Sequence, residues 1–285
     1  MSLKIVVLAK QVPDTHNVGP DAMTAEGTIN RSALPAIFNP DDLNALEQAL
    51  ILKDKFPGST ITVLTMGLPK SADIIRESLY RGADCGYVVT DRCLGGADTL
   101  ATSYTLSQAI RHLTPSLSQG EGASPLGGDE RGVIILCGRQ AIDGDTAQVG
   151  PQIAEKLGLT QVTYAEEILS LDPEAKKIVI KRHIDGGVET VEAPLPLVVT
   201  VNGSAAPCRP ANAKRIMANK KAEIAEWNAQ DINCDMQQVG KTGSPTNVKK
   251  VENIVFKAKE SRTMSGSDEE INTLMQELIN EKIIG

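Results

Sequence analysis

The chain has 285 residues, of which 41% are hydrophobic and 23% charged, a composition typical of a soluble globular protein. This length suffices to bury a sizeable core, either as one large domain or as one domain with an extension. The formal net charge of -7 and the aromatic content of 3% argue against a surface that binds nucleic acid.

The positions of the cysteines and histidines bear on the compartment of the protein and on whether it binds a metal. The five cysteines form no C-x-x-C pair, which favours a reducing cytoplasm over a disulfide framework. His16, His112 and His183 lie far apart without ligand spacing, so no metal site is expected. The first apolar run is too short for a signal peptide, and no run reaches the length of a membrane span. We therefore expect a cytoplasmic protein without direct membrane insertion.

The first half of the chain alternates short apolar runs with helical patterns. The predicted strands are 4–9, 60–65, 86–90 and 132–137. The predicted helices are one that begins at the signal Asn39-Pro40-Asp41-Asp42, with Asn39 or Asp41 as its cap, and those at 71–81, 100–113 and 150–157. Such alternation predicts an α/β fold with a doubly wound, mostly parallel sheet.

The next region predicts a different pairing. Residues 168–171 form a short apolar piece, and 177–183 and 189–201 read as two strands joined by a hairpin turn at 184–187. Pro194 and Pro196 interrupt the second strand and predict that part of it lies at a sheet edge. Polar stretches predict a loop or small hairpin at 16–36 and a surface insertion at 114–130.

The character of the chain changes near residue 205. We expect a nucleotide-binding domain at 1–205 and a partner-docking loop with a C-terminal arm at 206–285. The arm contains a polar stretch at 228–262 and an amphipathic helix at 268–283, which needs a partner or the core of the chain to cover its apolar face. Trp227 is interpreted as packing of this tail against a partner.

The stretch 138–152, GRQAIDGDTAQVGPQ, is the most informative in the chain. It follows a buried strand and opens a helix, where α/β folds bind nucleotides, with the amides of 145–149 facing an anion such as pyrophosphate. It matches neither standard phosphate fingerprint, so phosphate binding and a plain strand-to-helix turn both remain open. Asp143 and Asp145 lack a nucleophile or base beside them, so helix capping or ribose hydrogen bonding is expected rather than catalysis.

Four loops that follow predicted strands should meet at one edge of the sheet. They are the segments 10–15, 66–67, 95–99 and 138–149. That edge is the default ligand crevice of a doubly wound sheet. Lys10 there either approaches a phosphate or is a solvated loop lysine.

Taken in order, these motifs resemble the beta subunit of electron transfer flavoprotein. The motifs that carry the resemblance are KQVPDT at 10–15, NPDD at 39–42, GADCG at 82–86, CGRQAIDGDTAQVGPQIAE at 137–155, IDGG at 184–187 and PANAKRIMANKK at 210–221. The resemblance covers residues 1–220. It implies a heterodimer with an alpha subunit that holds an electron-carrying FAD, and a Rossmann-like (adenine nucleotide alpha hydrolase-like) beta domain whose C-terminal arm wraps the partner.

The resemblance also implies a nucleotide pocket in this chain. Simpler members hold a structural AMP there, whereas electron-bifurcating members hold a second FAD, above which NAD(H) docks. The implied cofactor-binding residues are Leu8, Ala9, Asn39, Met66, Gly138, Arg139, Gln140, Ala141, Ile142, Asp143, Gly144, Asp145, Thr146, Ala147, Gln148 and Val149. Arg139 either stabilises an anionic flavin or forms a surface salt bridge.

Three segments favour the FAD-binding, bifurcating branch over the AMP alternative. They are the loop DGDTAQVGP at 143–151, the loop KQVPDT, and GADTLAT at 96–102. Gly144 and Ala147 are small and leave room for more than a mononucleotide, and the hydroxyls of Thr99 and Thr102 can reach flavin or ribitol atoms. A structural AMP subunit and, more distantly, a nucleotide-binding stress-type domain without electron transfer remain alternatives.

One departure concerns the partner. The family's docking loop carries a leucine anchor where this chain has Ala213, which predicts a partner other than the usual acyl-CoA dehydrogenase, either a different dehydrogenase or a quinone reductase. The basic run at 214–221 then serves protein docking rather than nucleic acid. No side chain is assigned a catalytic role, and NADH oxidation is expected only in an alpha–beta complex.

Overall fold

The computed structural model describes residues 2–14, 35–115, 133–246 and 263–284. Most of the loop or small hairpin predicted for 16–36, most of the insertion predicted for 114–130, residues 247–262 of the polar stretch and His16 lie outside these ranges. The strands are β1 Lys4–Leu8, β2 Gln11–Pro13, β3 Ala36–Phe38, β4 Thr60–Met66, β5 Cys85–Val89, β6 Val133–Gly138, β7 Thr160–Asp172, β8 Lys177–Ile184, β9 Gly187–Pro194, β10 Leu197–Val201 and β11 Ala225–Trp227. The helices are α1 Pro40–Lys55, α2 Ala72–Arg81, α3 Thr99–Leu113, α4 Val149–Leu157, α5 Ala213–Asn219 and α6 Asp268–Asn280.

Within these ranges, nine strands form one sheet in the order β11-β5-β4-β1-β6-β10-β7-β8-β9. The strands from β11 to β7 run parallel, and β8 and β9 extend the sheet as an antiparallel pair. β2 and β3 pair separately; β2 lies inside the segment 10–15 that was predicted as a loop, and β3 begins at the end of the segment 16–36 that was predicted as a loop or small hairpin. The α/β fold with a mostly parallel sheet is therefore confirmed, and the bounds of the strands and helices that were predicted in the first half differ from the observed ones by at most one residue at each end.

Helices cover both faces of the parallel sheet. Ile5 and Val7 of β1 pack on one face in the same apolar cluster as residues of α1 and α2. Val6 and Leu8 pack on the opposite face with residues of α3 and α4. Because both faces are covered, the successive residues from Ile5 to Leu8 are all buried, which is why they form a continuous apolar run in the sequence.

Two strand predictions were wrong in their bounds. The apolar piece at 168–171 is part of β7, which extends over thirteen residues and pairs with both β10 and β8. The predicted strand 189–201 is two strands, β9 and β10, separated at Leu195 and Pro196. Proline cannot donate to a ladder, so Pro194 ends β9, which lies at the sheet edge as predicted, while β10 lies between β6 and β7.

Part of the C-terminal arm pairs with the main sheet. β11 pairs in parallel with β5, and the ring of Trp227 stacks on Tyr87 with centroids 4.0 Å apart. His112 contacts the same indole edge-on at 4.8 Å. The predicted partner contact of Trp227 is therefore corrected, since the indole packs on its own chain.

The terminal amphipathic helix is confirmed as α6. Its apolar residues Ile271, Leu274, Met275 and Ile279 are exposed. None of the helices in the described part of the chain has the length and apolar character needed to cross a bilayer.

Gly138 allows β6 to end directly against the first turn of α1. A Cβ built at this position would lie 2.5 Å from Oδ1 of Asp42 and 2.6 Å from Cβ of Asp41. We expect Gly138→Ala to lower the free energy of unfolding by about 2 kcal/mol, because the clash forces strand and helix apart. Urea denaturation checks this, with Gly187→Ala as the control, since a Cβ there meets no atom within 4 Å. Equal midpoints for the two variants would show that the contact is not tight.

Candidate nucleotide-binding site

The carboxyl ends of three neighbouring strands bring the first site residues together. Leu8 at the end of β1 lies opposite Leu64 of β4 and Cys137 of β6. Leu8 and Ala9 are buried, and Met66 and Gly138 end the two flanking strands. The loops that leave these strands therefore emerge side by side at one edge, as parallel strands require.

The buried carboxylate of Asp42 joins these strand ends. Its Oδ2 accepts a hydrogen bond from the amide of Lys10 at 2.8 Å, and its Oδ1 accepts one from the amide of Gly138 at 2.8 Å. Burial raises the pKa of Asp42 to about 7, against the opposing effect of these two bonds. Sequence reasoning treated this residue only as an acid in a helix start and missed that it holds β1, β6 and α1 together.

Asn39 braces the loop that follows β6. Its side chain is fully buried, Nδ2 donates to the carbonyl of Gln140 at 2.8 Å, and Oδ1 accepts from the amide of Ile142 at 3.1 Å. Asn39 occupies the N-cap position of α1, one of the two predicted cap residues, but its side chain donates no cap bond to the helix and accepts none from it. The amide group of Asn39 is already engaged by the loop, so it is not available to the helix.

The loop itself has an unusual backbone. α4 begins only at Val149, so the amides of residues 145–148 do not open the helix as predicted. Asp145 and Ala147 have φ values of 49° and 52°, in the left-handed region that residues other than glycine rarely adopt. Residues 143–146 are exposed. A strained, exposed loop of this kind often marks a ligand site.

The two loop aspartates contact neighbouring side chains. Lys10 Nζ lies 2.7 and 2.8 Å from the two carboxylate oxygens of Asp143, and Gln140 Nε2 donates to Oδ1 of Asp145 at 2.8 Å. Neither aspartate caps α4, so of the two predicted roles capping is wrong for both, and ribose hydrogen bonding stays a prediction. The Lys10–Asp143 pair is partly exposed, and such pairs contribute at most about 1 kcal/mol.

The start of α3 contacts the same loop from the other side. Thr99 Oγ1 donates to Oε1 of Gln148 at 2.9 Å, and one turn later Ser103 Oγ donates to Oε1 of Gln152 at 2.7 Å. Thr102 is half-buried in the first turn of α3, and its amide donates to the carbonyl of Asp98. Two helix N-termini therefore lie beside one loop.

Arg139 closes the loop toward β7. Its Nε lies 3.6 Å from Oδ2 of Asp41, so it forms an ion pair with a buried acid, and the alternative contact with a flavin stays a prediction. Its guanidinium carbon lies 5.9 Å from the ring centroid of Tyr164. Burial raises the pKa of Asp41, which Arg139 opposes. Tyr164 has a φ of 59°, an outlier for a bulky residue, and no sequence signal pointed to it.

The architecture defines the class of protein first. It is a doubly wound α/β protein with a braced, strained loop at the carboxyl edge of its sheet. A family model described as "Electron transfer flavoprotein domain" matches residues 26–118 and 127–232, well over half of the chain. The chain belongs to the electron transfer flavoprotein family.

Its relatives place it with the beta subunits. It is 40% identical to electron transfer flavoprotein subunit beta of Megasphaera elsdenii, over 99% of this chain and 100% of that protein. It is 42% identical to caffeyl-CoA reductase-Etf complex subunit CarD of Acetobacterium woodii, over 86% of each chain. It is 41% identical to protein FixA of Bradyrhizobium diazoefficiens, over 86% of this chain and 81% of that protein.

The raised pKa of Asp42 predicts a particular pH dependence of stability. Between pH 4 and 7 the folded chain holds a proton on Asp42 that the unfolded chain releases, so this residue contributes more stability as the pH falls from 7 to 4, by at most about 1.4 kcal/mol per pH unit. Urea denaturation at several pH values checks this. Asp42→Asn should remove that part of the pH dependence, and Asp172→Asn, at an exposed turn, should not. A wild-type slope retained in Asp42→Asn would contradict the assignment.

Removal of the Asn39 side chain should loosen the loop. Asn39→Ala leaves the carbonyl of Gln140 and the amide of Ile142 without their partners, and we expect a loss of about 1–3 kcal/mol in the free energy of unfolding. Hydrogen exchange at Ile142 should become faster. Asn44→Ala is the control, because that side chain contacts the carbonyl of Gly203 on a different segment. Unchanged exchange at Ile142 would show that the loop is held by other contacts.

Proposed function

We propose that this chain is the beta subunit of a heterodimeric electron transfer flavoprotein, and that its loop at 139–149 holds an FAD. In the complex it carries electrons between NADH or dehydrogenases and a redox acceptor, in the electron-bifurcating mode. The bound flavin would supply the hydride and electron chemistry. The residues of this chain would bind and orient it, and none is assigned a catalytic role.

The observation that carries the proposal is the meeting of one strained loop with two helix N-termini. α3 is capped by the carboxylate of Asp98, whereas α4 has no side-chain cap. The first amides of α4 therefore suit an anionic phosphate group as their partner. A Cβ at Gly144 would meet no atom within 4 Å, so the outer side of the loop is open to a ligand.

The breadth of this edge supports FAD over AMP. The Thr99–Gln148 bond joins the loop to α3, so a ligand on the loop can also reach the first turn of α3, where Thr102 lies. Leu68 follows β4 at the same edge and is 77% exposed, and Leu100 in α3 is 39% exposed. An isoalloxazine ring would cover apolar surface of this kind, which a mononucleotide on the loop would leave uncovered.

The partners follow from the relatives and from the tail. CarD is, by its name, a subunit of a reductase–Etf complex, which supports an alpha subunit and a dehydrogenase or quinone reductase as partners here. The exposed apolar face of α6 supports a division into a nucleotide-binding domain at 1–205 and an arm at 206–285. A cytoplasmic location is part of the same proposal.

The predicted partner-docking loop is fixed by ion pairs just before α5, but it presents little apolar surface where α5 begins. Arg209 forms hydrogen bonds with both carboxylate oxygens of Glu47 and pairs with Asp54 at 2.8 Å, which fixes the chain just before α5. Ala213 begins α5 in place of the leucine anchor, and Met217 on that helix is 68% exposed. The presence of alanine instead of leucine at position 213 supports a partner other than the usual acyl-CoA dehydrogenase.

The nucleotide released on denaturing the co-purified alpha–beta complex tests the proposal. We expect two FAD and no AMP per heterodimer. Thr102→Val should lower the retention of the second FAD, because it removes a hydroxyl on α3 that only the flavin end would reach, whereas Thr273→Val on exposed α6 should not. One FAD and one AMP would overturn the FAD assignment and leave this chain as an AMP-binding structural subunit.

A further inference from the structure

The segment 240–246 of the tail, called here the return segment, folds back onto the start of α3. Lys241 donates its amide to the carbonyl of Gly95 at 3.1 Å, and the amide of Asp98 donates to Oγ of Ser244 at 2.8 Å. Ser244 is buried and its hydroxyl donates in turn to the carbonyl of Gly240 at 2.7 Å. A Cβ at Gly240 would overlap the backbone of Cys93. The return segment is therefore packed against the residues that lead into α3.

The carboxylate of Asp98 divides its two oxygens between the helix and the return segment. Oδ1 accepts from the amides of Leu100 and Ala101 at 3.0 Å each, which caps α3. Oδ2 accepts from the amide of Thr246 at 3.1 Å. Burial raises the pKa of Asp98, but the bonds from these amides outweigh it and hold the pKa below its ordinary value. The carboxylate is thus charged at neutral pH, which strengthens all three bonds.

The contacts continue from Asp98 into the nucleotide loop. Thr99, the next residue, donates to Gln148, the residue directly before α4. Ser103 donates to Gln152 one turn further along both helices. The return segment and the loop at 139–149 are thereby attached to the same first turn of α3, through the adjacent residues Asp98 and Thr99.

We propose that Asp98 is a positioning residue that couples the return segment to the nucleotide loop. Docking of the return segment fixes the start of α3 and, through Thr99 and Gln148, the conformation of the loop. Coupling of this kind is reciprocal, so an occupied loop holds the return segment in place as well. The inference rests on the proposed function only in that the loop holds a nucleotide, whether FAD or AMP.

If Asp98 served only as the cap of α3, its substitution by Asn would have little effect on the loop. Asn caps a helix as well as Asp does, and its amide oxygen can still accept from Leu100 and Ala101. The amide nitrogen that replaces Oδ2 is a donor, so it cannot accept from Thr246. Asp98→Asn therefore removes the bond that the Thr246 amide donates to the side chain of residue 98, and it leaves the cap of α3 in place.

Asp91 provides a matched control. Its Oδ1 accepts from the amide of Cys93, and its Oδ2 accepts from the amide of Ala229 in the tail. Asp91→Asn removes an equivalent bond between a cap and the tail, at a position that does not adjoin Thr99. Ser244→Ala is a second test variant, because it removes the hydroxyl that accepts from Asp98.

The experiment compares these variants in the co-purified alpha–beta complex. The measurements are hydrogen exchange of peptides covering 139–149 and 240–246, and the rate at which the nucleotide of this chain, identified as FAD or AMP, is lost on dilution. We expect Asp98→Asn and Ser244→Ala to speed exchange in both peptides and nucleotide loss by about fivefold or more. Asp91→Asn should leave the 139–149 peptide and the nucleotide loss unchanged.

Two results would overturn the coupling. One is faster exchange at 240–246 in Asp98→Asn with wild-type exchange at 139–149 and wild-type nucleotide loss, since the two segments would then move independently. The other is an equal effect of Asp91→Asn on the loop. Finding AMP instead of FAD would overturn the proposed cofactor but not the coupling, because the exchange and release measurements apply to either nucleotide.

Discussion

The arrangement of the candidate site depends on one buried carboxylate. Asp42 lies in the first turn of α1 and accepts hydrogen bonds from two backbone amides, one just after β1 and one at the end of β6. A single side chain therefore holds one helix and two central strands together at the edge where the loops emerge. Gly138 makes this possible, since any side chain there would collide with the helix. The raised pKa of Asp42 is the cost of burying an acid where backbone amides need an acceptor.

Around this junction the loop is held from two sides by side chains distant in sequence. Asn39, directly before α1, bonds to the start of the loop, and Thr99 of α3 bonds to Gln148 at its end. These bonds allow Asp145 and Ala147 to keep left-handed backbone conformations, which an unbraced loop would relax. Because the loop is already ordered, less conformational entropy is lost when a ligand binds to it.

Much of the fold could be predicted because the burial of apolar side chains, which stabilises the sheet, leaves a pattern in short stretches of the sequence. Continuous apolar runs such as Val133–Gly138 are what a strand covered on both faces requires, so the parallel sheet followed from the alternation of runs and helices. The position of the loop followed from the same topology. The side chains of Asn39, Asp143 and Asp145 form no helix-cap bond because each is engaged by another partner, in the loop for Asn39, at Lys10 for Asp143 and at Gln140 for Asp145. Neither the φ of Tyr164 nor the return of β11 to the sheet has a local sequence signature.

The position of Trp227 has a spectroscopic consequence. It is the single tryptophan of the chain, and it stacks on Tyr87 with His112 at its edge, on the strand that carries the tail back to the sheet. The intrinsic indole emission of this chain therefore originates from one site, where the tail rejoins the sheet. A change in its wavelength or quenching reports the detachment of β11 without any label.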